Sequence, residues 1–172
     1  MKVTGYRLRE ALRRWQLRRD AAAGQFTDSL TAFPGETKKH PTEIAAAVLS
    51  AETAIATLQA QQAVYNLQVR VNVHGVGPAT LLECIKHVGG LERLVAMWSN
   101  AAKLKKDRMA GWREDSNLRD STKQAATRTI TYEDAAKKAA LYDRSRAAYI
   151  EAMNVGNANE IDLADLSPAL LE

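Results

Sequence analysis

The residues of this chain that could carry chemistry are few and scattered. Its three histidines, His40, His74 and His87, stand far apart, and none lies at metal-ligand spacing from a cysteine or a carboxylate pair. The single cysteine, Cys84, precedes His87 by three residues. That spacing suits a nucleophilic Cys–His pair, but a buried cysteine beside an exposed histidine is the commoner outcome. The sequence therefore predicts a non-enzyme with no bound metal or cofactor.

Binding chemistry is better represented, because arginines stand near aromatic rings and hydrogen-bonding side chains. Guanidinium groups pair with phosphate oxygens, and aromatic rings stack on planar bases. The alternative for each arginine is a solvated surface charge. We interpret the set as a site for a small anionic, nucleotide-like ligand. The candidate ligand-binding residues are Arg70, Asn72, His74, Arg108, Trp112, Arg113, Arg119, Arg128 and Tyr132.

Most of these candidates fall in or beside an aperiodic stretch from Gly111 to Thr131. It contains four basic residues, one tryptophan and many hydroxyl groups. A stretch of this length without helical periodicity is either a mobile surface loop or a functional segment. The concentration of basic residues favours a functional segment, ordered by a ligand or by a neighbouring subunit.

A heptad repeat between Thr42 and Asn72 is the main element that must position these residues. Between Glu52 and Arg70 no charged residue occurs, and alanines crowd the other faces of the same helix. Such a helix is typical of one surrounded by neighbours, so we expect a homo-oligomer with an even number of subunits and coiled-coil packing. Five amide side chains between positions 59 and 68 argue against a membrane span. The heptad positions are Ile44, Val48, Ala51, Ile55, Leu58, Gln62, Tyr65 and Val69.

The rest of the chain predicts one all-α domain, a helical bundle that spans residues 1–172. Pro78 is expected to start a short helix that Gly89-Gly90 ends, and Thr80 and Thr131 are expected to cap helices. The lone cysteine and the absence of an apolar leader favour a cytoplasmic location. The predicted parts are a helical hairpin over 1–72, short helices over 73–110, a loop over 111–131, a final helix over 132–154 and an acidic tail over 155–172.

Charge is unevenly distributed, although the formal net charge is only +4. The first nineteen residues hold seven basic residues and one acid, whereas the tail after Val155 holds four acids and no base. Either the tail docks on the first helix of its own or a neighbouring subunit, or that helix is available to a polyanion. Because the net charge is modest, we expect nucleic-acid binding to be weak or absent.

Several short motifs resemble the septicolysin-like family of bacterial helical proteins. They are Leu8-Arg9-Glu10-Ala11-Leu12, His40-Pro41-Thr42-Glu43, Arg70-Val71-Asn72 and Arg128-Thr129-Ile130-Thr131-Tyr132, followed by Asp143, Arg146 and Asn154. The resemblance implies a helical bundle that self-associates. It covers most of the chain, although the Gly-rich turns at 74–77 and 89–90 and the segment from Arg113 to Ser121 depart from the pattern.

Three functions remain open on the sequence alone. The first is a homo-oligomer that captures a nucleotide-like ligand at inter-subunit clefts, as some phage anti-defence sponges do. The second is a structural assembly subunit, of phage or bacterial origin, with no small ligand. The third is a nucleic-acid-binding protein that uses the Arg-rich first helix. Ligand capture ranks first, because packing alone does not require the arginines and the tryptophan of the aperiodic stretch.

Overall fold

The computed structural model describes residues 1–103 and 129–172. Within them the protein is mostly helical, as the sequence predicts, but two pairs of short antiparallel strands accompany the helices. The elements are β1 (Lys2–Thr4), α1 (Gly5–Ser29), α2 (Pro41–Gln68), β2 (Arg70–Val73), β3 (Gly77–Thr80), α3 (Leu81–Lys103), α4 (Tyr132–Ala158), β4 (Glu160–Asp162) and a 3-10 helix (Pro168–Leu171).

The described residues contain no helix long and apolar enough to cross a membrane.

Helices α1 and α2 pack against each other, and their caps explain where they begin. The hydroxyl of Thr4 accepts a hydrogen bond from the backbone N–H of Arg7 at 3.2 Å, and His40 Nδ1 accepts one from the backbone N–H of Thr42 at 3.4 Å. Pro41 occupies the first turn of α2, where its missing N–H costs nothing.

The heptad stripe of α2 faces the core. Its buried members are Ile44, Ala51, Ile55, Leu58, Tyr65 and Val69.

The segment that follows α2 departs from the prediction of short helices beginning at Pro78. Strands β2 and β3 pair antiparallel, with Val71 opposite Ala79. Alternation is consistent with the strand, because Val71 and Val73 are buried while Arg70 and Asn72 are exposed. Gly75 and Gly77 adopt positive φ angles of 74° and 115°, which only glycine adopts readily, and so they allow the tight connection.

Helix α3 therefore begins three residues after Pro78, and its first turn carries the predicted cap. The Glu83 carboxylate accepts a hydrogen bond from the backbone N–H of Thr80 at 2.7 Å, and the Thr80 hydroxyl accepts one from the N–H of Glu83 at 3.2 Å. The prediction that Gly89-Gly90 ends this helix is wrong, since α3 continues to Lys103. Its apolar period runs through the glycines without a slip, which outweighs their weak helix propensity.

Helix α4 also carries its predicted cap but ends later than expected. The backbone N–H of Asp134 donates to the Thr131 hydroxyl at 3.0 Å. The helix runs to Ala158, four residues beyond the predicted end at Asn154. Contacts divide the chain into two compact units, residues 1–83 with 152–172, and residues 84–151.

The centre of the first unit is Tyr65, whose side chain is fully buried. Its hydroxyl oxygen lies 2.8 Å from the backbone oxygen of Gly156 and 2.7 Å from that of Asn159. Gly5 lies against the same ring, because a Cβ atom there would be 2.7 Å from Tyr65 Cε1. Asn157, also buried, donates from Nδ2 to the backbone oxygen of Met153 at 2.6 Å. The contact of the Tyr65 hydroxyl with Gly156 joins the end of α2 to the end of α4.

Gly156→Ala should destabilise the first unit by about 1–3 kcal/mol, the usual cost of overpacking a core. A Cβ atom at Gly156 would lie 2.5 Å from Val71 Cγ1 and 2.6 Å from Leu81 Cδ2. Gly24→Ala is the matched control, since a Cβ atom there meets nothing within 4 Å. The control should stabilise α1 by up to about 1 kcal/mol. Urea unfolding of both variants measures the difference, and equal stabilities would contradict the close contact at Gly156.

Candidate functional site

The C-terminal segment lies on α1, and three side chains of that helix hold it. Arg14 donates to the backbone oxygen of Leu171 at 2.6 Å, and the Trp15 indole N–H donates to that of Leu170 at 3.0 Å. Arg18 donates to the backbone oxygen of Glu172 at 3.4 Å, and its guanidinium carbon lies 4.7 Å from the centre of the Trp15 ring. Leu171 is buried. The tail thus docks on the first helix of its own chain, through backbone oxygens rather than acidic side chains.

A second heptad stripe runs along α2 on the side away from the core. Its members recur at the same alternating steps of four and three as the buried stripe, displaced by two residues, which is about 200° around a helix. All are small or apolar and uncharged, and six of the seven are exposed, Thr57 being partly buried. Leu67, at the C-terminal end, is 55% exposed. The second stripe comprises Ala46, Ser50, Thr53, Thr57, Ala60, Val64 and Leu67.

The N-terminal half of the second stripe forms the floor of an open groove of about 530 Å³. Leu49, Trp15 of α1 and Leu170 of the docked C-terminal segment complete its lining. The groove is mainly apolar because Thr53 and Thr57 donate their hydroxyls to backbone oxygens four residues earlier, each at 3.0 Å. We call this the Trp15 groove; its lining residues are Trp15, Ala46, Leu49, Ser50, Thr53, Ala54, Thr57 and Leu170.

Three of the predicted ligand-binding residues lie on or beside β2. Arg70 and Asn72 are exposed and share the face of the strand opposite Val71 and Val73. His74 follows in the turn and is also exposed. Within residues 1–103 and 129–172, Arg70 makes no side-chain hydrogen bond or ion pair. The β2 face therefore presents one guanidinium and one amide side by side, with an imidazole at the turn.

Of the remaining predicted site residues, the structure describes only Tyr132. Tyr132 is the first residue of α4 and is partly exposed. Five others, Arg108, Trp112, Arg113, Arg119 and Arg128, lie outside the described residues, as does most of the 111–131 segment. The convergence of these arginines stays a prediction.

The Cys84 and His87 pair is arranged as a buried thiol and an exposed ring. Cys84 is fully buried. The His87 imidazole stacks on Tyr149, with ring centres 4.8 Å apart and planes 15° apart. Among residues 1–103 and 129–172, no three histidine, cysteine or acidic side chains are grouped so that they could hold a metal ion.

Sequence reasoning missed the Trp15 groove, although part of it was visible in the sequence. The second stripe has the same period as the first and could have been found by repeating the heptad search at a different offset. The wall of the groove could not have been found from the sequence, because Trp15 and Leu170 are 155 residues apart and meet only where the C-terminal segment docks on α1.

Comparisons with known proteins place the fold but not the activity. A crystal structure of a functionally unknown conserved protein from Corynebacterium diphtheriae is similar, with a TM-score of 0.68 and 15% sequence identity over 94% of this chain and all of that one. At this identity the similarity shows a shared fold alone. No family model and no curated protein matches the chain. The resemblance to the septicolysin-like family stays a prediction.

Proposed function

We propose that this protein is a non-enzymatic, self-associating helical protein that captures a small anionic, nucleotide-like ligand. The observation that carries the proposal is the second stripe of α2, an exposed heptad face without a charge. A solvated helix normally presents charged side chains, and an exposed uncharged face of small and apolar residues indicates a protein contact.

The β2 face supports the anionic character of the ligand. An exposed guanidinium next to an amide offers several hydrogen-bond donors to a phosphate, and Arg70 has no competing carboxylate among the described residues. Because Arg70 and Asn72 are held on a paired strand, their spacing is set by the backbone. The sequence adds Trp112, Arg113 and Arg128 as further candidate ligand residues.

The nucleic-acid alternative is weaker, because three of the six arginines of α1 form hydrogen bonds or ion pairs within the chain. Arg14 and Arg18 bind the C-terminal segment. Arg19 pairs with Asp20 and Glu52 at 2.8 and 3.3 Å, and its hydrogen bond to Asp20 raises the pKa of its guanidinium. Engaged arginines contribute less to a continuous basic footprint, which phosphate binding requires.

A second candidate, a structural assembly subunit without a small ligand, is favoured by the apolar character of the Trp15 groove. The groove and the second stripe serve protein contacts equally well whether or not a ligand binds elsewhere. The two functions differ only in whether the β2 face takes up an anion, so a binding measurement separates them.

Calorimetry with a panel of cyclic and linear nucleotides tests the proposal, on protein whose subunit number is first measured by sedimentation velocity. We expect an even-numbered oligomer and saturable binding, with a loss of about 1.5–3 kcal/mol on Arg70→Ala for each charged hydrogen bond removed. Arg7→Ala is the matched control, since Arg7 is an exposed arginine of α1 and not part of the β2 face. A stable monomer at micromolar concentration would refute self-association, and no binding of any nucleotide would leave the assembly subunit as the function.

A further inference from the structure

We infer that a second copy of this chain occupies the Trp15 groove, with the two α2 helices packed antiparallel through their second stripes about a two-fold axis. The inference rests on the proposed self-association and assigns its surface, orientation and register. The surface comprises residues of α1, α2, β2 and the C-terminal segment.

The second stripe is complementary to itself in shape. Its N-terminal half is built from Ala46, Ser50 and Thr53 and forms the floor of the groove. Its C-terminal half ends in Val64 and Leu67, which project from the surface and are 39% and 55% exposed. An antiparallel pair places the projecting half of each copy in the groove of the other, as a two-fold interface requires. Small floor residues also let the two helices approach closely.

Size matching then favours one register. When Leu67 of one copy faces Ser50 of the other, the alternating steps also bring Val64 opposite Thr53 and Ala60 opposite Thr57. Leu67 of one copy then lies near the apolar wall of the other copy's groove, which is formed by Trp15, Leu49 and Leu170. Shifting the pair by one heptad would place Leu67 opposite the carboxylate of Glu43, which is unfavourable.

The charges at the two ends of the stripe favour the antiparallel orientation as well. Glu43 stands in the first turn of α2, and Arg70 follows its last turn, both exposed. In a parallel pair, each of these charges would approach the same residue of the other copy, which carries the same charge. In the antiparallel pair, Arg70, which follows the end of α2, lies at the same end of the pair as Glu43 of the other copy, so the ends attract.

Disulfide trapping tests the orientation and the register together. In a Cys84→Ala background, which removes the chain's single cysteine, the double variant Thr53→Cys/Val64→Cys should oxidise to a covalent dimer. Within one α2 helix the two positions are ~17 Å apart, from a rise of ~1.5 Å per residue. A disulfide spans only about 4.4–6.8 Å between Cα atoms, so the bond must join two copies.

The single variants are the controls, because the same position in the two copies is also separated by ~17 Å in this register. Neither Thr53→Cys nor Val64→Cys alone should give a covalent dimer. Cross-linking of the single variants would demonstrate a parallel pair and overturn the inference. A wild-type oligomer with no cross-link in the double variant would also overturn it, leaving self-association intact, whereas a wild-type monomer would refute the proposed function itself.

A charge placed at the centre of the stripe tests the same surface without cysteines. Ala60→Glu should raise the dissociation constant of self-association by about 100-fold or more. Each introduced glutamate would face an uncharged surface and the glutamate introduced in the other copy. Gln59→Glu introduces the same charge at an exposed position of α2 outside both stripes and should change the dissociation constant less than about threefold. Circular dichroism checks that both variants remain folded. Equal dissociation constants for the two variants would overturn the inference.

Discussion

Leu58→Asp is expected to lower the free energy of unfolding by at least about 5 kcal/mol. Leu58 is 1% exposed and lies in the buried stripe of α2. An unpaired carboxylate at such a position costs about 3–5 kcal/mol in addition to the lost apolar contacts. Total stabilities of domains are about 5–15 kcal/mol, so one such change removes much of the reserve.

Gln59→Asp is the control for this substitution, because it adds the same charge one residue further along α2 at an exposed position. It should alter the free energy of unfolding by less than about 0.5 kcal/mol. Thermal unfolding followed by circular dichroism compares the two variants. If Leu58→Asp retained a melting temperature close to that of Gln59→Asp, Leu58 would not lie in the core of the single chain.

Tyr65→Ala is the second substitution with a large expected effect, a loss of about 3–5 kcal/mol in the free energy of unfolding, as for other buried aromatic residues. The ring fills the space beside Gly5, and the hydroxyl bridges to the backbone oxygens of Gly156 and Asn159. Tyr65→Phe separates these contributions, because it keeps the ring and removes the hydroxyl. It should cost about 0.5–1.5 kcal/mol, the net contribution of one hydrogen bond, since the backbone oxygen of Gly156 still accepts from the N–H of Asn159.

The same hydroxyl predicts a dependence of stability on alkaline pH. Burial raises the pKa of Tyr65 above its usual value, mainly because the phenolate would lose its solvation. A group whose pKa is higher in the folded state stabilises the fold fully below its unfolded pKa, about 10, and loses that effect as pH rises through the folded pKa. The difference in unfolding free energy between wild type and Tyr65→Phe should therefore be constant between pH 7 and 9 and shrink above pH 10. An unchanged difference at pH 11 would contradict the buried hydroxyl.

The helical framework could be predicted from the sequence because its causes are local. The period of α2, the cap pairs at Thr80/Glu83 and Thr131/Asp134 and the proline at the start of α2 each act within a few residues. Such features hold whatever the rest of the chain does. The wrong prediction that α3 ends at Gly89-Gly90 also came from a local rule. That prediction gave a pair of glycines more weight than a continuous apolar period.

The strands could not be predicted with the same rules, because their stability depends on what lies across from them. Arg70-Val71-Asn72-Val73 is too short for its alternation to be distinguished from the end of a heptad helix. It is a strand because it pairs with β3, and its Val71 side chain lies against Gly156, which is 85 positions away in the chain. For the candidate site, Arg70 and Asn72 were identified by residue type, but only strand formation places them on one exposed face.

The sequence by itself determined that α2 has one apolar heptad face and that its other faces carry no charge between Glu52 and Arg70, since both follow from residue types and a helical period. Only the tertiary structure decided which face is buried and which is exposed. The buried stripe carries the larger side chains and packs on α1, whereas the stripe of small residues is exposed. The Trp15 groove was decided there too, because its wall needs the indole N–H of Trp15 and the backbone oxygen of Leu170 to meet. Contacts between distant segments form only when the chain is folded, and no local sequence period predicts them.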